Sequence, residues 1–329
     1  MTEYHEAKYY NVYKNKQLKC ELCPHHCIIK EDKTGICQVR KNIKGKLKTL
    51  NYGKVSALGV DPIEKKPLYH FYPGKKVLSL GSYGCNMSCI YCQNWHISQQ
   101  KPTLHDYSPE DIVNSAQAKE LDLIAYTYSE PIVFYEYMLD IAKLASKKEI
   151  KNILVSNGFI EEEALKELTP FLDAANIDLK SFKDEFYKKH CQGGLEAVKR
   201  TIKYLADKIH LEVTTLVIND LNDDLNDLKK IFKFIAEIDQ DIPLHLSRYY
   251  PSYKLDNPAT DLSLMEEAYQ LAKKDLTNVY LGNANLENTK DTHCSNCGKK
   301  VITRSGYDVI KNYNKGFCEH CGSKIYGEF

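Results

Sequence analysis

The chain has 329 residues, enough for one large hydrophobic core with small satellite modules. Its 45 Lys and Arg residues balance 44 Asp and Glu residues, so no net charge favours binding to nucleic acid or to anionic lipid. Residues 1–17 lack the apolar core of a signal peptide, and no apolar run reaches the length that spans a bilayer, so we expect a soluble protein without a membrane partner.

Twelve cysteines are more than packing alone explains, and eleven of them fall into three tight groups. Spacings of two and three residues within the groups indicate metal ligands rather than disulfides, and metal thiolates persist best in a reducing compartment. We therefore expect a cytoplasmic metalloprotein. Cys191 stands alone and is interpreted as a free buried thiol, with a redox or substrate role as the lesser alternative.

The first cysteine group lies in residues 18–40 and consists of Cys20, Cys23, Cys27 and Cys37. Four thiolates on two short turns match a closed zinc site, in which His25 or His26 can replace one of them. The same thiolates match a second iron–sulfur cluster, and the spacing does not separate the two. We favour zinc slightly, because a closed site with four ligands stabilises the segment and needs no other function to explain it. Packing of the cysteines without a metal is the third alternative.

Two segments separate this group from the next. Residues 45–60 alternate apolar and polar side chains around Gly53, which predicts a small β-hairpin or two edge strands on one side of the main domain. Residues 61–74 contain three prolines, which exclude a continuous helix. Their charged and aromatic side chains fit either the mouth of an active site or a packed linker.

The second cysteine group follows an apolar predicted strand, residues 76–80, and has the spacing C-x3-C-x2-C at Cys85, Cys89 and Cys92. A structural zinc ion or a fully ligated iron–sulfur cluster needs four protein ligands, whereas this loop supplies three. Three close thiolates suit a 4Fe-4S cluster whose fourth iron stays open for a small molecule. The alternatives are three buried cysteines or a zinc site completed by His96.

After this loop, apolar strands alternate with amphipathic helices, and Ser108 followed by Pro109 predicts the N-cap of the first helix. Predicted strands cover residues 121–128, 152–156, 174–179, 210–218, 243–249 and 278–281. Predicted helices cover residues 109–119, 132–146, 161–168, 195–206, 225–238 and 262–273. This order predicts a parallel α/β sheet with right-handed crossovers, and six β–α units favour an open, partial barrel over a closed eightfold one.

Polar side chains recur on these strands, and the carboxyl ends of parallel strands meet at one edge of a sheet. The residues expected at this edge are Ser129, Glu130, Asn157, Gly158, Asp178, Lys180, Glu212, Thr214, His245 and Arg248. Ionisable or amide groups on five consecutive strands beside a thiolate loop predict one active site.

The third cysteine group lies in the tail and consists of two C-x2-C-G knuckles, at Cys294 and Cys297 and at Cys318 and Cys321. Paired knuckles around a β-rich interval are typical of a zinc ribbon, whose stability depends on the metal. We therefore expect three regions: residues 1–75 as a Cys-rich metal-binding and β segment, residues 76–283 as the barrel, and residues 284–329 as the ribbon.

These motifs, taken together, resemble one known family over nearly the whole chain. It is the pyruvate formate-lyase activating enzyme-like branch of the radical S-adenosylmethionine (SAM) superfamily, and within it the AmmeMemoRadiSam system radical SAM enzymes. The resemblance rests on residues 20–27, 61–71, 84–95, 128–131, 156–158, 178–180, 243–248 and the terminal knuckles. The chain departs from the family pattern at Tyr128 and Ser129, which stand where a double glycine is usual.

The resemblance implies a partial (β/α)6 radical SAM barrel and a role for each matching residue. Cys85, Cys89 and Cys92 would ligate a 4Fe-4S cluster, and Glu130 would hold the SAM amino group. Further SAM contacts would come from Tyr91 beside the adenine and from Asn157, Asp178, Lys180 and His245. Asp178 and Lys180 would also serve catalysis by electrostatic placement rather than as acid and base.

The implied reaction is reductive cleavage of SAM to a 5′-deoxyadenosyl radical, which abstracts hydrogen from a substrate. The implied partners are a one-electron donor such as flavodoxin or ferredoxin and an Amme-type and a Memo-type protein. One alternative is an activase that puts the radical on a backbone glycine of another enzyme. The other alternative is a non-catalytic zinc-ribbon protein that binds RNA or a protein complex, which predicts zinc without iron.

Overall fold

The computed structural model describes residues 4–329. Within this range, no helix has the length and apolar character that crossing a membrane requires. Residues 5–55 form short strands, and Cys20, the first of the cysteines, lies at the end of one of them. These strands are β1 (His5–Glu6), β2 (Tyr10–Val12), β3 (Leu18–Cys20), β4 (Ile28–Ile29), β5 (Arg40–Ile43), β6 (Lys46–Thr49) and β7 (Lys54–Val55).

The main domain is built on one eight-stranded sheet. Its strands are β8 (Ala57–Pro62), β9 (Lys76–Gly81), β11 (Leu123–Tyr126), β12 (Lys151–Ser156), β13 (Ala174–Asp178), β14 (His210–Val217), β15 (Leu244–Arg248) and β16 (Val279–Gly282), while β10 (His105–Asp106) pairs with β7 outside it. Seven strands, from β9 to β16, run parallel in chain order, and β8 adds an antiparallel edge beside β9. The sheet is open, because β8 and β16 form its two edges.

Helices connect the parallel strands, as the sequence predicts. They are α1 (Trp95–Ser98), α2 (Pro109–Ala118), α3 (Tyr135–Ser146), α4 (Glu162–Leu168), α5 (Asp184–Phe186), α6 (Leu195–Ala206), α7 (Leu225–Ile238) and α8 (Leu262–Ala272). The predicted N-cap is present: the Ser108 hydroxyl accepts from the Asp111 N–H at 3.1 Å, and the Asp111 carboxylate accepts from the Ser108 N–H at 2.8 Å. Apolar faces of these helices pack on the sheet and form the core.

The structure differs from the sequence prediction at two helices. The helix predicted from residue 132 starts as a 3-10 turn, Pro131–Phe134, and becomes α-helical only at Tyr135. The prediction also lacks α5 and the π-helical turn Tyr187–Cys191 that continues it. This segment is too short to show helical periodicity, and its place is set by contact with the cysteine loop, where Ser88 N–H donates to the Cys191 carbonyl.

The two segments before the cysteine loop are also resolved. Residues 40–49 form the hairpin β5–β6, which turns at Gly45 rather than around Gly53, and β6 is the middle strand of a three-stranded sheet. Residues 57–62 form β8, an edge strand of the main sheet, so the prediction of edge strands is confirmed for β8 alone. In residues 61–74, Leu68 and Phe71 are buried, whereas Asp61 and Lys66 line a cavity of about 780 Å³. The segment therefore combines the two expected roles. Residues 61–66 form part of the cavity wall, and residues 67–74 form a packed linker, called the linker part below.

The tail folds into two small sheets that pack on the main domain. Their strands are β17 (Thr292–His293), β18 (Lys300–Ser305), β19 (Asp308–Lys311), β20 (Tyr313–Asn314) and β21 (Phe317–Cys318). The Arg304 guanidinium donates to the Tyr69 carbonyl at 2.7 Å, and the Glu328 N–H donates to the His70 carbonyl at 2.8 Å. These contacts fix the tail against the linker part of residues 61–74.

Candidate functional site

A cavity of about 780 Å³ lies at the carboxyl ends of the parallel strands. This volume falls within the range of small-molecule sites, roughly 300–1,000 Å³. Eight of the nine residues expected to bind the cluster or SAM line it: Cys85, Cys89, Cys92, Tyr91, Glu130, Asn157, Asp178 and Lys180. The fold thus gathers groups that are up to 95 residues apart in the sequence, since each ends or follows a strand.

The cysteine loop follows β9 and holds three free thiols at the cavity wall. Gly84 opens the loop with a φ of +88°, a conformation that favours glycine. The Met87 N–H donates to Cys85 Sγ at 3.3 Å, and the Ser98 hydroxyl lies 3.2 Å from Cys92 Sγ. Hydrogen bonds of this kind to sulfur tune the potential of an iron–sulfur cluster, so the loop fits one chemically.

The electrostatics of the loop point the same way. Burial raises the pKa of Cys85 and of Cys92 above the ordinary range, and a hydrogen bond with Cys191, together with burial, does the same for Cys89. Without a bound metal, the three groups are therefore neutral thiols at pH 7. Thiolate ligands form when a metal displaces these protons, so a metal cluster is what these buried thiols can accommodate.

Glu130 is almost fully buried beneath the cavity. Its carboxylate accepts from the Ser156 hydroxyl at 2.7 Å, from the Ile132 N–H at 3.1 Å and from the Asn157 N–H at 2.9 Å. Burial raises the pKa of Glu130 to about 7 despite these donors. The second oxygen accepts one of the three bonds and retains a lone pair for a ligand donor.

Asn157 follows β12 and connects Glu130 with the cysteine loop through hydrogen bonds. Its side-chain N–H groups donate to Asn86 Oδ1 at 2.9 Å and approach Cys85 Sγ at 3.8 Å. The side-chain oxygen of Asn157, Oδ1, accepts from the Phe159 N–H at 2.9 Å, and this bond fixes the orientation of the side chain. Asn157 therefore has its amide committed to the loop, and it positions Cys85.

Asp178 and Lys180 form an ion pair at the end of β13, with 2.8 Å between Lys180 Nζ and Asp178 Oδ2. Burial alone would lower the pKa of Lys180, but the charge of Asp178 and its hydrogen bond hold this pKa well above the ordinary range. Lys180 is thus a permanent cation beside the loop. The Asp178 side chain is 41% exposed and can turn a free oxygen to a ligand.

Tyr91 lies in the cysteine loop with its ring nearly buried and its edge on the cavity. Its hydroxyl lies 3.0 Å from Cys191 Sγ. The isolated cysteine is therefore a buried thiol, as expected, and it packs directly behind the loop.

His245 is the ninth expected residue, and the structure does not bring it to the cavity. Its Nε2 lies 2.6 Å from Glu212 Oε2, and Glu212 Oε1 also accepts from the His70 N–H at 2.7 Å. Both residues lie near the start of their strands, far from the carboxyl ends. Burial alone would raise the pKa of Glu212, but hydrogen bonds from His210 and His245 hold it well below the ordinary range. Glu212 and His245 therefore anchor the linker part of residues 61–74, and this placement corrects the expectation that they share the catalytic edge.

Three groups of the cavity carry features that sequence patterns did not reveal. Ser129 has a buried hydroxyl that finds no hydrogen-bond partner among residues 4–329, so it is free to meet a ligand. Tyr128 has a φ of +71°, a strained conformation for a residue with a Cβ. Its hydroxyl donates to Asp61 Oδ2 at 2.6 Å, and Lys66 Nζ donates to the same oxygen at 2.7 Å.

The tail cysteines form a compact tetrad. The sulfur–sulfur distance is 3.6 Å between Cys294 and Cys321 and 3.8 Å between Cys297 and Cys318, and all four sulfurs lie within 4.8 Å of one another. A tetrahedral zinc site with bonds of about 2.3 Å places its sulfurs about 3.8 Å apart. The tail tetrad therefore has a geometry that could bind a metal ion.

The N-terminal cysteines behave differently. Cys20, Cys23, Cys27 and Cys37 line one narrow cavity together with His25 and His26. Within the described part of the chain, however, the tail tetrad is the group whose ligand atoms all come within 4.8 Å of one another, and the N-terminal four do not form such a set.

Comparison with known proteins agrees with this geometry. A family model described as the radical SAM superfamily matches residues 80–235. The chain is 43% identical to the uncharacterized protein MJ0808 of Methanocaldococcus jannaschii over 97% of this chain and 98% of that one. It is 27% identical to a protein of the same organism provisionally named a glycyl-radical enzyme activating enzyme, MJ1632, over 61% of this chain and 79% of that one. Among solved structures, Streptococcus suis SuiB bound to S-adenosylmethionine is similar in fold, with a TM-score of 0.50 and 14% identity over 68% of this chain and 53% of that one.

Proposed function

The chain belongs to the radical SAM superfamily, whose members catalyse radical reactions, and from this premise we propose that it cleaves SAM reductively to abstract hydrogen from a substrate. The observation that supports this most directly is the convergence of Cys85, Cys89 and Cys92 on a cavity of SAM-compatible size. These three residues would hold a 4Fe-4S cluster. When bound, such a cluster supplies the electron that splits SAM into methionine and a 5′-deoxyadenosyl radical.

The residues around the cavity would bind SAM, orient it and shield it from water. Glu130 and Ser129 offer an acceptor and a hydroxyl toward the amino group and carboxylate of SAM. Lys180 supplies a fixed positive charge, and Asp178 holds it in place, so this pair acts by electrostatic placement. Tyr91 presents a ring edge beside which an adenine can pack.

The direct test is anaerobic incubation of the reconstituted protein with SAM and dithionite, followed by chromatography for 5′-deoxyadenosine and methionine. Formation of both in equal amounts, dependent on dithionite, is the expected result. The proposal is refuted if a protein with a full iron complement gives neither product with any low-potential reductant.

A second candidate function is activation of a glycyl-radical enzyme, which the similarity to MJ1632 favours. The radical would then be transferred to a backbone glycine of a partner. Electron paramagnetic resonance separates the two functions, because a glycyl doublet on a partner protein supports the activase. Activation of a glycyl-radical enzyme does not need the N-terminal cysteines or the tail tetrad, and for this reason we favour hydrogen abstraction from another substrate.

The place of this chain in the AmmeMemoRadiSam group, and with it an Amme-type and a Memo-type partner, is also a proposal. The same holds for a flavodoxin or ferredoxin as electron donor. Co-purification of the tagged chain with each candidate protein tests the partners one by one.

Affinity for SAM is expected to depend on pH through Glu130. Since its pKa is about 7, the ionised fraction falls about tenfold between pH 8 and pH 6, and the affinity contributed by the carboxylate falls by the same factor. Glu130→Gln should lower affinity at pH 8 and flatten this difference, because the amide does not titrate. Anaerobic calorimetry of SAM binding at the two pH values measures both. Equal pH dependence in the wild type and the variant would contradict the role of Glu130.

The tail tetrad is expected to bind about one zinc ion per chain. Cys297→Ser should release this ion, because a hydroxyl is a far poorer zinc ligand than a thiolate. Ser295→Ala, within the same knuckle, is the matched control and should retain zinc. Elemental analysis of the purified proteins gives the result, and zinc retained by Cys297→Ser would count against a four-thiolate site.

A further inference from the structure

The chain contains four-thiolate groups at both ends, and their geometries differ. The tail tetrad has sulfurs at the spacing of a single tetrahedral ion, 3.6 and 3.8 Å within its two closest pairs. Among the residues described, the N-terminal four do not come together in this way, although they surround one cavity. A single zinc ion is too small to contact all four thiolates at once, whereas a cube of four irons and four sulfides requires them farther apart.

The cysteine loop of the main domain provides an internal comparison. Cys85, Cys89 and Cys92 also line a common cavity without drawing their ligand atoms within 4.8 Å of one another in the described chain. The N-terminal group therefore shares its open spacing with the cluster loop and not with the tail tetrad.

The surroundings of the N-terminal cavity suit a charged cluster. Its wall is completed by apolar side chains of Leu22, Ile29 and Ile132, which exclude water. The Arg40 guanidinium is buried and ion-paired with Glu136, and its second terminal nitrogen approaches Cys20 Sγ at 3.9 Å, so it offers the thiolates a hydrogen-bond donor. Hydrogen bonds and charges near the sulfurs set the potential of such a cluster.

The N-terminal group is packed directly against the cluster loop. A Cβ added to Gly84, the residue before Cys85, would lie 2.7 Å from the Cys37 carbonyl oxygen. On the other side of the loop, His25 Nε2 lies 2.7 Å from the carbonyl oxygen of Asn86, the residue after Cys85. The Gly84 backbone thus packs closely against Cys37, and His25 contacts Asn86, so the N-terminal group and the cluster loop are neighbours on both sides of Cys85.

We propose that Cys20, Cys23, Cys27 and Cys37 hold a second 4Fe-4S cluster that passes electrons to the cluster at Cys85, Cys89 and Cys92. The second half of this statement rests on the proposed function, since that cluster is the electron acceptor. Four thiolates would occupy all four irons, so the N-terminal cluster would have no open position for a small molecule. Its role would therefore be electron transfer.

The transfer balances as a chain of one-electron steps. A low-potential donor of the flavodoxin or ferredoxin class loses one electron, and the N-terminal cluster is reduced by one. That cluster is reoxidised as the cluster at Cys85, Cys89 and Cys92 gains the same electron. No bond forms or breaks and no proton moves until SAM is cleaved.

Metal counting tests the cluster on anaerobically purified and reconstituted full-length protein. The wild type should contain about eight iron, about eight sulfide and one zinc per chain. The triple variant Cys85→Ser/Cys89→Ser/Cys92→Ser should retain about four iron, with a resonance signal that SAM does not alter. A triple variant that holds two zinc ions and no iron would overturn the proposal.

A second variant keeps this test independent of the proposed function. Cys23→Ser/Cys27→Ser should contain about four iron, with a signal that changes when SAM is added. If SAM leaves this signal unchanged, the proposed function fails, while iron in the triple variant still supports the second cluster. A double variant that retains the full iron content of the wild type would overturn the N-terminal site.

Electron transfer is tested with the same double variant and two reductants. With reduced flavodoxin, 5′-deoxyadenosine formation should fall by at least an order of magnitude relative to the wild type. With dithionite, a small reductant that can enter the cavity, the loss should be much smaller. Equal losses with both reductants, or none with flavodoxin, would overturn the relay.

Discussion

Replacing Cys89 with serine is expected to lower 5′-deoxyadenosine formation by at least two orders of magnitude. Cys89 is the most buried of the three loop thiols, and it lies between Cys85 and Cys92 in the motif. A serine hydroxyl does not ionise near neutral pH and does not replace a thiolate at iron, so the loop keeps only two ligands. The SAM-dependent change in the paramagnetic signal should disappear with the activity.

The matched control is Cys191→Ser. Cys191 is also buried and lies 3.0 Å from the Tyr91 hydroxyl, but it is outside the C-x3-C-x2-C motif. Because a serine can keep the hydrogen bond to Tyr91, we expect the iron content of this variant to match that of the wild type. Substantial SAM cleavage by the Cys89 variant, or loss of iron from the Cys191 variant, would contradict the assignment of the loop ligands.

The largest expected loss of stability comes from Arg40. Its guanidinium forms a buried ion pair with Glu136 on α3, and both side chains are 2% exposed. Arg40 also donates to the Lys8 carbonyl at 2.8 Å, so the pair ties the N-terminal strands to the main domain. Arg40→Met leaves the Glu136 carboxylate buried without its cation, which is expected to lower the free energy of unfolding by about 3–5 kcal/mol.

Denaturant unfolding of paired variants measures this effect. The double variant Arg40→Met/Glu136→Leu should recover most of the loss, because it removes the unpaired charge as well. Arg200→Met is the control, since the Arg200–Glu161 pair is partly exposed and is worth about 0–1 kcal/mol. If Arg40→Met and Arg200→Met cost the same, the buried pair does not have the energetic role assigned to it.

Local patterns in the sequence were sufficient for most of the secondary structure. The helices over residues 195–206 and 225–238 have the predicted bounds, because an apolar stripe every three to four residues marks a helix that packs on a sheet. Strands were placed to within about three residues by their apolar runs. The helix predicted from residue 132 instead becomes α-helical at Tyr135, after the 3-10 turn Pro131–Phe134.

The candidate site was predictable where a residue ends a strand. Asp178 closes β13 and Asn157 follows β12, so the sequence position alone put both at the catalytic edge. Glu212 and His245 lie on the expected strands but near their other ends. The predicted strands, residues 210–218 and 243–249, already place both residues near the amino ends, so position along the strand, and not polarity alone, separates residues of the cavity from residues of the opposite edge.

The sequence by itself determined the three-thiolate motif, the order of strands and helices and the paired knuckles of the tail, because spacing and periodicity act over a few residues. Only the tertiary structure decided which thiolates come close enough for a single ion, that Cys37 lies against Gly84, and that Arg40 meets Glu136 across 96 residues. These contacts join distant parts of the chain, and they follow from the packing of the N-terminal strands on the main domain.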